Sequence, residues 1–136
     1  GPSRASVIQA VANVKRCDNL GQSASDLRDA AKQRGGLVTR LGKLSVDKLP
    51  GNAELTAALN RAWQASAAAD NHYAAWADQV DGGRKGCHKG QARITPQTQA
   101  GNRESGTASQ QKVKAAALWN AIAQKYGLTQ RQPTQL

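Results

Sequence analysis

Residues 52–80 read NAELTAALNRAWQASAAADNHYAAWADQV, and their spacing decides the fold. Leu55, Leu59, Ala62, Ser66, Ala69, Tyr73, Trp76 and Val80 step by three and four, which puts them on one face of a helix. Trp63 lies beside that stripe. Asn52 suits the N-cap, Glu54 suits the positive end of the helix dipole, and Gly82 and Gly83 end the run. No Pro or Gly interrupts it. One long rod is expected, with the rest of the chain packed on it or connecting to it.

Upstream, a second stripe runs through Cys17, Leu20, Ala24, Leu27, Ala31, Arg34, Val38 and Leu41. Alternating threes and fours form the seam of an antiparallel helix pair. Gly35-Gly36 interrupts the stripe, at up to roughly 1 kcal/mol per glycine in a helix interior. Leu37, Leu41 and Leu44 resume the phase, so a continuous helix is expected. Residues 45–51 (SVDKLPG) read as a connector, because Leu49 precedes a proline and Pro-Gly favours a turn. So short a link makes the next helix antiparallel to the first. Residues 3–16 carry Val7, Ile8, Val11 and Val14 at helical spacing. They read as the first turns of a long helix, as a short separate helix, or as a juxtamembrane stalk.

Downstream, residues 81–95 (DGGRKGCHKGQARIT) form a Gly-rich basic loop holding Cys87 and His88. Pro96 suits the first turn of a third helix, with Thr95 as its cap. Small residues at 100, 108 and 115 lead into Leu118, Trp119, Ile122 and Tyr126, and Gly127 is placed to end the helix. Gly101 and Gly106 weaken its first half. Residues 131–136 read as a loose tail. The expected class is all-α: an antiparallel up-down-up bundle of three long helices, with a possible fourth short helix at the N-terminus and one disulfide. The expected divisions are a tag remnant at 1–2, an N-terminal extension or stalk at 3–16, the bundle at 17–128 and a tail at 129–136.

Composition agrees. The 136 residues suffice for one domain, and 39% are apolar with no Phe or Met. The core must be built from Leu, Val, Ala and a few Trp and Tyr, with Trp63, Trp76, Trp119, Tyr73 and Tyr126 filling most of it. Alanine lets helices approach closely, and β-branched residues are too sparse for a β-domain. No stretch approaches the roughly 20 apolar residues of a membrane span.

The formal charge of +10 implies attraction to polyanions. Nucleic acid, anionic lipid and anionic cell-wall polymer are equal candidates on charge alone. The basic residues are spread along the chain, so solvation of the outer helix faces is an equally good reading. The best candidate patch is Arg28, Lys32, Arg34, Arg40 and Lys43, of which Arg28 and Lys32 share a face.

Three fates are open to Cys17 and Cys87: unrelated thiols, metal ligands or a disulfide. In an up-down-up bundle both fall at one pole, which favours the disulfide, since bridged Cα atoms must come within about 7 Å. A bridge implies an oxidising compartment. Zinc would need Cys17, Cys87, His88 and His72, but the usual C-x₂₋₄-C or H-x₃₋₅-H spacing is missing. No metal and no cofactor is expected. Glu54 and Glu104 fall near opposite ends, too far apart for a glycosidase pair. Ser66, Asp70 and His72 share a helix surface, which offers no oxyanion hole. Gly35-Gly36 and GGRKG at 82–86 lack the strand context of a phosphate loop. Asp70 and Lys112 lie at similar heights and are expected to form a polar pair that fixes helix register; two exposed charges are the bland alternative.

CDNL (17–20), LPG (49–51), ALNRAWQASAAADNHYAAWAD (58–78), the Gly-rich loop with Cys87, ASQQK (108–112) and ALWNAIAQKYGL (117–128) together resemble a helical-bundle domain. That domain occurs in extracytoplasmic parts of actinobacterial, Streptomyces-like membrane-anchored proteins. The resemblance spans residues 17–128 and implies a Cys17–Cys87 bridge and an extracytoplasmic place. The chain departs from it at Ala115, where a large aromatic is expected, and at Ala121, where Pro is usual. The expected function is a non-enzymatic extracytoplasmic binding or sensing module for a protein or an anionic envelope polymer. Its membrane anchor would lie outside this sequence. The alternatives are a cytosolic nucleic-acid-binding protein and, least supported, a cell-wall hydrolase.

Overall fold

The computed structural model describes residues 2–43, 51–83 and 85–136. Four helices follow in order: α1 (Pro2–Lys15), α2 (Leu20–Gly42), α3 (Asn52–Val80) and α4 (Pro96–Tyr126). A two-residue hairpin, β1 (Cys87–His88) with β2 (Gln91–Ala92), interrupts the loop between α3 and α4. A 3₁₀ turn covers Pro133–Gln135. The bundle is all-α in its core, as the spacing predicts.

Cross-helix contacts give the direction of each rod. Arg28 meets Asp78 and Arg34 meets Asp70, so position rises along α2 as it falls along α3. Trp76 meets Arg93 just before α4, Tyr73 meets Asn102, and Asp70 lines one cavity with Lys112, so position rises along α4 as it falls along α3 and the two are antiparallel. α1 ends separately, because Cys17 (φ 56°) and Asn19 (φ 49°) take left-handed conformations that no helix continues. It is the short separate helix, and it belongs to the core through Ala10 and Val14.

The ends follow local chemistry. Gly51, at φ 80°, occupies the cap position of α3, so the cap lies one residue before the expected Asn52. Glycine alone takes that angle without strain. Thr95 caps α4 by accepting from the Gln97 and Thr98 amides, while Thr98 Oγ1 accepts from the Thr95 amide. Such a cap contributes about 1 kcal/mol. Gly35 and Gly36 sit inside one unbroken α2. The expected connector at 45–51, Gly51 apart, and the Leu44 position lie outside the described residues.

Fourteen of the twenty buried hydrophobic residues among those described are alanines, so the helices pack close. The main cluster joins Ala10, Val14, Ala24, Leu27, Tyr73, Trp76 and Val80 near the pole where Cys17 meets Cys87. Trp76 is fully buried, and its indole N–H donates to the Arg93 carbonyl at 2.7 Å. The expectation that all five aromatics fill the core is corrected. Trp63 and Trp119 are half-buried and Tyr126 is 48% exposed. Alanine stripes suffice where large side chains were expected. The tail is also not loose, because Asn120 exchanges two hydrogen bonds with the Arg131 backbone and Trp119 donates to the Thr129 carbonyl.

Gly101 also admits a neighbour. A Cβ there would stand 2.5 Å from the Tyr73 ring, so only glycine lets that ring cross onto α4. The Tyr73 hydroxyl then donates to Asn102 Oδ1 at 2.7 Å.

Candidate functional site

Two features gather charge: the outer face of α2 and a cavity beneath α1. On α2 and its C-cap, Lys32, Arg40 and Lys43 are exposed, as is Arg28. Arg28 is tied to Asp78 of α3, so its charge is already answered. Arg34 is the exception. It is 7% exposed and faces inward on the same stripe as Leu27 and Ala31, so it cannot join a surface patch. A helix turns about 100° per residue, which separates Arg34 from Lys32 by half a turn.

The cavity is built on two repeats of one helical spacing. α3 supplies Ser66, Ala69, Asp70 and Tyr73; α4 supplies Ser105, Ala108, Ser109 and Lys112. Both sets stand at i, i+3, i+4 and i+7, one face of each rod. α1 adds Arg4, Val7 and Ile8, and α2 adds Arg34. The cavity measures about 170 Å³ and is partly open. The alanines keep the helices close, and the serines put hydroxyls where a bundle would normally carry apolar side chains.

Arg34 Nη1 stands 3.2 Å from Asp70 Oδ2. The angle is poor, and neither atom makes a hydrogen bond among the described residues. The expected Asp70–Lys112 pair is thus corrected: Arg34 is the direct partner of Asp70. Lys112 is 8% exposed and close enough to act on Asp70 through space, yet it forms no ion pair within 4 Å among the described residues. Arg34 enters from α2, and its planar guanidinium suits a carboxylate partner.

Burial pushes the Asp70 carboxyl up to about 6, against the pull of Arg34 and Lys112. Burial also lowers Lys112, with repulsion from Arg34 and Arg4 adding and Asp70 opposing. The Tyr73 phenol is raised, mainly by burial. At neutral pH the two buried basic groups and Arg4 at the rim face a single carboxylate.

The other residues singled out by sequence are structural or dispersed. Cys17 and Cys87 are bonded to each other, with Cα atoms 6.2 Å apart, so neither is a thiolate ligand. His72 Nδ1 lies 2.7 Å from Gln97 Oε1 and ties α3 to α4, while His88 is exposed on the hairpin. Glu54 lies in the first turn of α3 and Glu104 on α4. Among the described residues, no three His, Cys, Asp or Glu side chains are grouped to hold a metal ion. No described helix is long and apolar enough to cross a membrane.

Sequence reasoning missed the roles of Arg34, Ser66, Ser105 and Ser109. The signal was present in Arg34, a charged residue on an otherwise apolar stripe. Compared with known proteins, the chain matches no family model, no curated protein and no solved structure.

Proposed function

We propose that this chain is a non-enzymatic binding or sensing module that works outside the cytoplasm and meets an anionic partner, an envelope polymer or an acidic protein. The supporting observation is the outer face of α2. There Lys32, Arg40 and Lys43 are exposed over about 16 Å of helix, at 1.5 Å per residue, and no ion pair among the described residues answers them. A polyanion with regularly spaced charges can engage such a line and release its counterions. The Cys17–Cys87 bridge is consistent with an oxidising compartment. The resemblance to extracytoplasmic actinobacterial domains favours the same place and an anchor supplied by a segment outside this sequence.

The test is titration of the oxidised protein with a poly(glycerol phosphate) polymer across a salt series. Three phosphate contacts predict a log–log slope of about −2 to −3. Charge reversal at Lys32, Arg40 and Lys43 together is expected to remove most of the affinity. Full affinity in that triple variant rejects the face. Markedly tighter binding to duplex DNA of matched charge moves the reading to nucleic acid.

A further inference from the structure

We infer that the cavity beneath α1 is a site for a small dianionic oxyanion of the phosphate type, either free or as the terminal group of a larger ligand. This goes beyond the surface reading and stands without it, since Lys32, Arg40 and Lys43 do not line the cavity. The first argument is charge. Arg4, Arg34 and Lys112 face one carboxylate, Asp70, which leaves two positive charges in excess. Two of those cations are more than nine-tenths buried. Cations held away from water without matching anions are costly, and a bound dianion would neutralise them.

The second argument is unused donors. Arg34 lines the cavity, and its buried Nη1, ion-paired with Asp70, makes no hydrogen bond among the described residues. The Lys112 ammonium has neither a hydrogen bond nor an ion-pair partner among them. Ser66, Ser105 and Ser109 add hydroxyls around the same space. A tetrahedral oxyanion offers several acceptor atoms and can take donors from all sides, and charge-assisted hydrogen bonds to it are the strong kind. A carboxylate has one charge and two oxygens, and it would leave part of this set unused.

The third argument is size. At roughly 30 Å³ per water, 170 Å³ holds about half a dozen waters. That space accepts a phosphate with a little of an attached group, and its open side leaves room for the rest of a larger ligand outside. Arg4, Val7 and Ile8 place the N-terminal half of α1 over the site, and the disulfide at Cys17 ties down the far end of that helix.

The experiment is calorimetric titration of the intact oxidised protein in a zwitterionic buffer, with thermal shift as a second readout. Inorganic phosphate and sulfate are expected to bind saturably, while chloride at matched ionic strength and acetate do not. Lys112→Met keeps the buried stem and removes the charge, and should weaken phosphate binding about tenfold or more. Arg4 is exposed, so Arg4→Met leaves the core intact and should weaken binding several-fold. Glycerol phosphate binding more tightly than inorganic phosphate assigns the site to a larger ligand, and the reverse order assigns it to the free ion. No saturable heat from phosphate overturns the proposal. So does acetate binding as tightly as phosphate, or unchanged affinity in both variants. The triple α2 variant is expected to keep phosphate binding, so the surface reading can fail without this one.

Discussion

Arg34 and Asp70 form an ion pair at 3.2 Å in which both side chains are less than a tenth exposed. Such a pair resists loss of one partner far more than loss of both. Arg34→Met is expected to cost about 3–5 kcal/mol at neutral pH, because the Asp70 carboxylate stays behind without its nearest cation. Arg34→Met with Asp70→Leu should recover most of that loss. Urea unfolding of the two variants checks this, and additive costs would refute the pairing.

Stability depends on pH through Asp70. Its carboxyl titrates near 3.8 when unfolded and at about 6 in the fold. Between those values the folded state holds a proton that the unfolded chain has lost. The Asp70 contribution is therefore full below about pH 4 and is lost as pH rises through 6, amounting to about 3 kcal/mol at 1.36 kcal/mol per unit. Asp70→Asn should flatten this part of the profile. An unchanged slope in that variant would show that Asp70 does not cause it.

The bridge closes a long loop, since its cysteines are 70 positions apart. The chain-entropy estimate for such a loop is about 4 kcal/mol. Reduction, or Cys17→Ser with Cys87→Ser, should lower the melting temperature substantially while leaving the far-ultraviolet helix signal largely intact at low temperature. A thiol titration of the native protein should find no reactive group, as both cysteines are bonded.

Two glycines on one helix should respond with opposite sign. Gly101→Ala forces a Cβ to within 2.5 Å of the Tyr73 ring and is expected to cost about 1–3 kcal/mol. Gly106→Ala meets nothing within 4 Å and should stabilise α4 by about 0.5–1 kcal/mol through helix propensity. Thermal melts of the pair decide it.

Periodicity made α3 legible, and Thr95-Pro96 and Gly127 made the ends of α4 legible, because those signals are local. The cysteine bridge was legible because helix order alone puts positions 17 and 87 at one pole. The site was not. Arg34 sat on the apolar stripe, yet a pattern of charges along one helix cannot say that Asp70 of the next helix lies opposite. The sequence points Asp70 to Lys112 because height along a rod is readable and rotation about it is not. Gly101 looks like a flaw in the sequence because its value depends on Tyr73, 28 positions earlier in the chain. Trp63, Trp119 and Tyr126 were assigned to the interior by size, but side chains as small as alanine already fill the closest helix approaches.

That alanine-lined interior reverses the usual rule for mutational damage. In most proteins the harmful change is truncation, which leaves a hole. Here Ala62, Ala74, Ala77 and Ala115 are fully buried and have little side chain to lose, while larger residues would overpack the helix contacts. Variants of this chain should therefore fail by swelling: an enlarged residue at these sites should cost more than the roughly 1 kcal/mol that glycine costs in a helix interior.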